Sequence, residues 1–291
     1  MFHGSLAALI TPMADDGRVD YDALEELVRW HLSEGTDGIV AVGTTGEAAT
    51  LESAEQMQVV DCCLRAASGQ IPVIAGISSN STARATALAR LAQARGAAAG
   101  LAVVPYYNKP TQEGLYRHFR AIAAAVSLPI ILYNVPSRTV ADLLPETVAR
   151  LAAIPNIIGI KEATGKLERL EEIRRLCGQE FLLLSGDDAT AMEFMLRGGR
   201  GVISVTANVA PKLMHALCTA ACNAERGKAE ILNQRLEILH RQLFVESNPI
   251  PVKWALTQMG RAPAGIRLPL TPLAPGHHAA MLEALRSVGA L

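Results

Sequence analysis

Short apolar runs recur along the chain at intervals of about twenty to thirty-five residues. Each run is followed by Gly, Thr, Asn or Pro, and then by a segment whose apolar residues have helical spacing. Such runs are typical of strands buried on both faces, and the longer periodic segments predict helices. Eight runs fit the pattern: residues 6–10, 38–42, 73–75, 101–104, 130–133, 157–160, 181–184 and 202–205. Eight alternating strands and helices predict an α/β fold, a closed (β/α)8 TIM barrel.

Polar and special residues mark the ends of the predicted helices. Asp20 is predicted to cap the first helix and Gly35 to end it. Residues 53–56 have the pattern of a capping box that opens the next helix. Pro145 and Pro211 suit the first turns of later helices.

The pattern changes after the eighth run. Residues 211–291 contain only helical segments, which are interrupted at residues 248–251 and near three further prolines. We therefore expect two regions, a catalytic barrel at 1–210 and a C-terminal helical extension at 211–291. No flexible linker separates them, so the extension is expected to pack against the barrel.

Composition narrows the range of partners and locations. The 291 residues are half hydrophobic, enough for a large core, and the net charge of −1 with a pI near 6.7 gives no electrostatic basis for binding nucleic acid or membranes. No apolar run approaches the roughly 20 residues of a membrane span. The N-terminus lacks the basic region of a signal peptide. A cytoplasmic protein is expected.

The five cysteines, Cys62, Cys63, Cys177, Cys218 and Cys222, are odd in number and lack the Cys-x-x-Cys spacing. Reduced core cysteines are therefore favoured over disulfides. The alternative is a metal site at Cys218, Cys222 and His215, but these three residues do not make a convincing ligand set. The histidines show no spacing typical of a metalloenzyme, so we expect neither a catalytic metal nor another cofactor.

Polar residues collect where the predicted strands end, which is where barrel enzymes place their catalytic groups. The strand ends read TP (11–12), GTTGE (43–47), G (76), PYYN (105–108), YNVPSR (133–138), K (161), SGDD (185–188) and TAN (206–208). Three of the five tyrosines and only one of the six lysines lie at these ends.

That lysine, Lys161, follows an apolar run rich in Ile. Burying an ammonium group is costly unless it is paired. Burial also favours the neutral amine, which is a nucleophile for carbonyl compounds. A lysine among hydroxyl groups at a barrel mouth therefore suits imine chemistry. The alternative is that Lys161 reaches solvent or pairs with Glu162.

The glycine-rich segment at 43–46 allows two interpretations. It could bind phosphate, but the Gly-Lys-Ser/Thr of the Walker pattern is missing. A loop whose threonine hydroxyls and backbone N–H groups hold a carboxylate is preferred.

Together these motifs resemble those of the dihydrodipicolinate synthase family, pyruvate-dependent Schiff-base aldolases. The resemblance covers essentially the whole chain and includes residues 248–253 (NPIPVK). It implies a lyase that condenses pyruvate with L-aspartate 4-semialdehyde to give 4-hydroxy-tetrahydrodipicolinate, the first committed step of diaminopimelate and lysine biosynthesis.

The family also implies roles for individual residues. Lys161 would form the imine with pyruvate, Tyr133 would transfer protons, and Thr44 would link Tyr133 to Tyr107 of a neighbouring subunit. A free phenol ionises only near about pH 10, so this transfer needs an ordered chain of hydrogen bonds. The implied assembly is a homotetramer built from tight dimers.

The substrate contacts implied by the family involve four further residues. Thr45 and the backbone of Ile203 would hold the pyruvate carboxylate, and Gly186 would line the pocket. Arg138 would bind the carboxylate of the semialdehyde through its planar guanidinium. Taken singly, each of these residues also has a purely structural interpretation; Arg138, for example, could cap a loop.

Feedback-inhibited members of the family bind lysine at a subunit interface. The matching positions here are Ala48, Ala49, Ser53, Gln56, Asn80, Arg84 and Tyr106. Ala49, Asn80 and Tyr106 agree with the regulated pattern, whereas the other four positions depart from it. Arg84 stands where a glutamate would meet the ammonium group of lysine, so attraction is replaced by repulsion.

Two other functions compete with the synthase. One is a different pyruvate lyase, such as an N-acetylneuraminate or 2-keto-3-deoxy-sugar-acid aldolase, which would share Lys161 and Tyr133. Thr44, Thr45, Tyr107 and Arg138 favour the synthase. The other is a non-catalytic barrel that binds a keto acid, which the retained lysine and relay hydroxyls disfavour.

The departures at the effector positions predict weak or absent inhibition by lysine. Titrating the condensing activity with L-lysine measures this, and we expect no half-inhibition below about 1 mM. Strong inhibition at a much lower concentration would show that the altered positions still bind the effector.

Overall fold

Eight parallel strands close into a barrel in the computed structural model, which describes residues 2–291. The strands are β1 (Gly4–Ala8), β2 (Gly38–Ala41), β3 (Val73–Gly76), β4 (Ala99–Val103), β5 (Ile130–Asn134), β6 (Ile157–Glu162), β7 (Leu182–Ser185) and β8 (Gly201–Ser204). Each strand pairs with the next, and β8 pairs with β1. The predicted (β/α)8 TIM barrel is confirmed. The first strand begins two residues before the predicted run, since Gly4 already pairs with Gly201.

Helices follow the strands around the outside of the barrel. They are α1 (Tyr21–Ser33), α2 (Ser53–Ala67), α3 (Thr82–Ala94), α4 (Gln112–Ala124), α5 (Pro136–Thr139), α6 (Pro145–Ala152), α7 (Leu167–Cys177), α8 (Ala191–Leu196), α9 (Pro211–Cys222), α10 (Arg226–Gln242), α11 (Ile250–Gln258) and α12 (His278–Ser287). None of those within residues 2–291 is long and apolar enough to cross a bilayer.

The predicted helix ends are mostly observed. The Asp20 carboxylate accepts a hydrogen bond from the Ala23 N–H at 2.9 Å and caps α1. The capping box of α2 begins one residue earlier than predicted. Its cap is Glu52, whose N–H donates to the Glu55 carboxylate at 2.9 Å, because Ser53 is already helical.

The C-terminal helical extension is present, but α9 belongs to the barrel wall. It contacts β1 and β8 and therefore serves as the outer helix of the eighth unit. The division into 1–210 and 211–291 stays a prediction. The packing of α9 favours a boundary after Cys222, with α10 to α12 as the added helices.

Two apolar cores lie on either side of the barrel wall. Side chains alternate along each strand, so one set fills the barrel and the other packs under the helices. The inner set includes Leu6, Val40, Ile74 and Leu184, all almost fully buried. This filling closes the barrel interior below its C-terminal end, which leaves that end to the polar residues.

Asn208 joins the first and last parts of the barrel at that end. Its side chain is fully buried and accepts from the Ile10 N–H at 3.1 Å. The same amide donates to the carbonyls of Ala8 at 2.8 Å and Val205 at 3.0 Å. These bonds satisfy backbone groups that the strands β1 and β8 leave unpaired where they end.

Replacing Asn208 with alanine should lower the free energy of unfolding by about 2 to 4 kcal/mol, since buried backbone groups lose their partners. Urea denaturation measures the change. The exposed Asn223 supplies a matched control, and Asn223→Ala should stay within about 0.5 kcal/mol of the parent. Equal stabilities of the two variants would contradict the proposed closure.

Candidate active site

A cavity of about 200 Å³ opens at the C-terminal end of the barrel. The strand ends carry their side chains into it, as the sequence predicted. Seven of the predicted site residues line it: Thr44, Thr45, Tyr133, Arg138, Lys161, Gly186 and Ile203.

Lys161 lies on the inner face of β6, between Tyr133 of β5 and Leu184 of β7. It is only 6% exposed, and its Nζ lies 4.3 Å from the centroid of the Tyr133 ring. Within residues 2–291, no carboxylate lies within ion-pair distance of this amine. The environment is an aromatic face and a small cavity, which suits an amine that must react.

The neighbouring Glu162 faces the other side of the sheet, because side chains alternate along a strand. Its carboxylate accepts from the Asn134 side chain at 3.1 Å and from the Thr164 N–H at 2.8 Å. Burial raises the pKa of Glu162, and these hydrogen bonds oppose that shift. Pairing of Lys161 with Glu162, one of the two structural alternatives, is therefore not what the structure shows.

The loop between β2 and α2 brings Thr44 and Thr45 to the cavity. Two of its non-glycine residues, Val42 and Glu47, adopt left-handed backbone conformations with φ of 49° and 56°. Such conformations cost about 1 to 3 kcal/mol each and persist only where the surroundings impose them. On the β3 side, a side chain at Gly76 would place its Cβ only 2.1 Å from the Val42 carbonyl oxygen, so glycine is required there.

The Thr45 hydroxyl has a defined orientation. Its Oγ1 accepts a hydrogen bond from the Asn248 side-chain amide at 2.9 Å, and both residues line the cavity. Because the oxygen is used as an acceptor, the hydroxyl proton is free to be donated to an anion in the cavity.

A second buried lysine, Lys253, was not assigned a role from the sequence. It forms an ion pair with Glu47, and both side chains are at most 3% exposed. Burial lowers the pKa of Lys253, and the Glu47 carboxylate opposes that shift. The two residues are 206 positions apart in the sequence. The sequence signal that could have identified them is that each lies in a segment resembling a family motif, residues 43–47 and 248–253.

A second cavity of about 250 Å³ adjoins the first. The two share Thr44, Tyr133 and Arg138 in their walls. Tyr107 lines neither cavity within residues 2–291, is 88% exposed and has a φ of 75°. A single chain therefore does not bring Tyr107 to Tyr133.

The predicted effector positions are only partly brought together. Ala48, Ala49 and Tyr106 line the second cavity. Gln56 is buried and donates to the carbonyls of Ala48 and Leu51, so its amide is already used. The other positions, Ser53, Asn80 and Arg84, lie outside that cavity, and Arg84 is exposed.

All five cysteines are free thiols, and Cys62, Cys63 and Cys218 are buried. Cys222 is exposed, so the expectation of core cysteines is wrong for that residue, which lies at the solvent-facing end of α9. Within residues 2–291, no group of three or more His, Cys, Asp and Glu side chains could hold a metal ion.

Schiff-base-forming lyases need a nucleophilic lysine in a sheltered cavity. The buried Lys161 amine beside Tyr133, at the C-terminal mouth of a closed barrel, suits that class. The model of the dihydrodipicolinate synthetase family matches residues 1–288. The chain belongs to this family and is an enzyme of the lyase class.

Relatives agree with the family match. The chain is 60% identical to the 4-hydroxy-tetrahydrodipicolinate synthase of Methylococcus capsulatus and 58% identical to that of Pseudomonas aeruginosa, over 100% of each chain. A crystal structure of the chloride-inhibited dihydrodipicolinate synthase of Acinetobacter baumannii, complexed with pyruvate, superposes with a TM-score of 0.99 at 52% identity, over 100% of both chains. These matches do not favour the sugar-acid aldolases or a non-catalytic barrel.

Gly186 controls the space beside Lys161. A Cβ added there would lie 2.9 Å from the Lys161 Cε and 2.6 Å from the Ala163 Cβ. Gly186→Ala should therefore displace the amine and lower kcat/KM by about tenfold to a hundredfold, as displacements near 1 Å do in active sites. Steady-state kinetics measure this loss. Gly227→Ala is the matched control, because Gly227 has no atom within 4 Å of an added Cβ and full activity is expected.

Proposed function

We propose that this enzyme condenses pyruvate with L-aspartate 4-semialdehyde to give 4-hydroxy-tetrahydrodipicolinate, the committed step of diaminopimelate and lysine biosynthesis. The observation that supports it most is the Lys161 amine, buried without a carboxylate partner in residues 2–291 and facing a cavity about the size of small metabolites. The family match and the names of the relatives support the choice of reaction.

The first step joins Lys161 to pyruvate. The neutral amine attacks the keto carbon, the resulting carbinolamine loses water, and an imine forms. The protonated imine withdraws electrons from the adjacent methyl group. Loss of a methyl proton then gives an enamine. Because the imine itself accepts the electrons, we propose that the reaction needs no metal or other cofactor.

The second step forms the carbon–carbon bond. The enamine carbon attacks the aldehyde carbon of the semialdehyde, and the aldehyde oxygen takes up a proton. The amine of the semialdehyde then adds to the imine carbon and displaces Lys161 as the ring closes. The free lysine is restored, and one water is released over the whole reaction.

The position of Tyr133 supports a role in proton transfer. Its ring lies against the Lys161 amine, and it lines both cavities together with Thr44. We assign Tyr133 as the donor and acceptor at the imine and Thr44 as the link to a further hydroxyl. A chain of hydrogen bonds lets a phenol exchange its proton near neutral pH.

The further hydroxyl is assigned to Tyr107 of a second copy of the chain. Tyr107 is 88% exposed in the single chain, and the second cavity lies open beside Thr44 and Tyr133. In the proposed tight dimer, the exposed Tyr107 of one copy enters the second cavity of the other copy. A tetramer of two such dimers, in the cytoplasm, is the proposed assembly.

Two anchors would hold the carboxylates. The Thr45 hydroxyl and the backbone at Ile203 are assigned to pyruvate, and Arg138 to the semialdehyde. All three residues line the cavity that contains Lys161. Gly186 completes the wall and leaves room for the imine. Weak regulation by lysine is supported at one of the effector positions that depart from the regulated pattern. The Gln56 amide is already hydrogen-bonded to the Ala48 carbonyl within the chain.

Reduction with borohydride in the presence of pyruvate tests the central step. The protein should gain the mass of pyruvic acid less one oxygen atom, and peptide mapping should place the adduct on Lys161. Lys161→Ala should lose both the adduct and the activity. The equally buried Lys253 is an internal control that should stay unmodified. An intact mass that does not change would refute the imine, and an adduct on another lysine would refute the assignment.

A further inference from the structure

A buried ion pair lies outside the wall of the active-site cavity. Glu47 of the β2–α2 loop meets Lys253 of α11, and the exposed fractions of the side chains are 0% and 3%. The second Glu47 oxygen accepts from the Arg267 N–H at 3.2 Å. Both oxygens of this carboxylate are therefore bound by the C-terminal region of the chain.

The loop that carries Glu47 also carries the threonines of the site. Left-handed backbone conformations at Val42 and Glu47 bracket Thr44 and Thr45, so the loop depends on tertiary contacts for its shape. Beside the ion pair, the C-terminal region contacts this loop at two further places. The Asn248 amide donates to the Thr45 hydroxyl at 2.9 Å, and the Arg267 guanidinium donates to the Thr50 carbonyl at 2.7 Å.

The ion pair and the hydrogen bond from Asn248 to Thr45 are coupled through α11. Lys253 lies in the first turns of this helix, and Asn248 lies two residues before the helix begins. A shift of α11 away from Glu47 would therefore also move the amide that orients the Thr45 hydroxyl. Among residues 2–291, the cavity lining contains Asn248 but neither Glu47 nor Lys253.

We propose that Lys253 is a positioning residue for the reaction. Through Glu47 it holds the β2–α2 loop in the conformation in which Thr45 receives the pyruvate carboxylate. The inference rests on the proposed function and extends it to a residue that does not touch substrate. It gives the C-terminal extension a role in binding the first substrate.

Three variants test the role. Lys253→Met and Glu47→Gln each leave one buried partner unpaired, and the double variant removes both charges together. Each single variant should raise the KM for pyruvate by about tenfold or more, as expected for the loss of a charged hydrogen bond. The change in kcat and in the KM for the semialdehyde should stay below about threefold, because Lys161 and Arg138 are untouched.

The double variant separates positioning from stability. Without a lone buried charge, its thermal midpoint should return toward that of the parent, yet its KM for pyruvate should stay raised. The pyruvate concentration that gives half-maximal borohydride trapping should rise by the same factor. Asp37→Asn is the control for general destabilisation, since Asp37 pairs with His215 at the opposite end of the barrel. It should lower the thermal midpoint and leave the KM for pyruvate unchanged.

The outcomes are distinct. An unchanged KM in the double variant, or an equal rise in Asp37→Asn, would overturn the positioning role while the parent enzyme still condensed its substrates. A parent protein that gave neither product nor a pyruvate adduct would overturn the proposed function and this inference with it.

Discussion

The proposed chemistry depends on the Lys161 amine, which is buried and has no carboxylate within ion-pair distance among residues 2–291. Lys161 faces the ring of Tyr133 and a small cavity, and the carboxylate next to it in sequence points the other way. Lys253 shows the contrast within the same chain, because it is just as buried but pairs with Glu47.

The barrel makes this environment possible. Its strands end at one rim, so residues from loops far apart in sequence face the same cavity. The apolar filling beneath the rim limits the cavity to about 200 Å³, which restricts it to small substrates. Asn208 ties the first and last strands together at this rim, which fixes the distance between the loops that follow them.

The C-terminal region makes specific contacts with the β2–α2 loop. Asn248 and Lys253 both reach the β2–α2 loop, and Arg267 contacts the same loop through its backbone and its guanidinium group. A loop with left-handed residues would otherwise relax toward ordinary backbone conformations. The C-terminal region therefore holds the part of the site that the barrel strands alone do not fix. Tyr107 is 88% exposed in the single chain and lies outside the cavity that contains Lys161.

Local sequence patterns predicted the number and order of the strands, and they pointed to Lys161 as the lysine at a strand end. Those features follow from local pattern, because a buried strand needs a short apolar run and the barrel rule then places its end. Three further features are seen only in the folded chain: α9 completes the barrel, Glu52 rather than Ser53 caps α2, and Lys253 pairs with Glu47. These facts depend on packing between segments or on a one-residue shift of a helix start. Neither is encoded in the periodicity of any single stretch of chain.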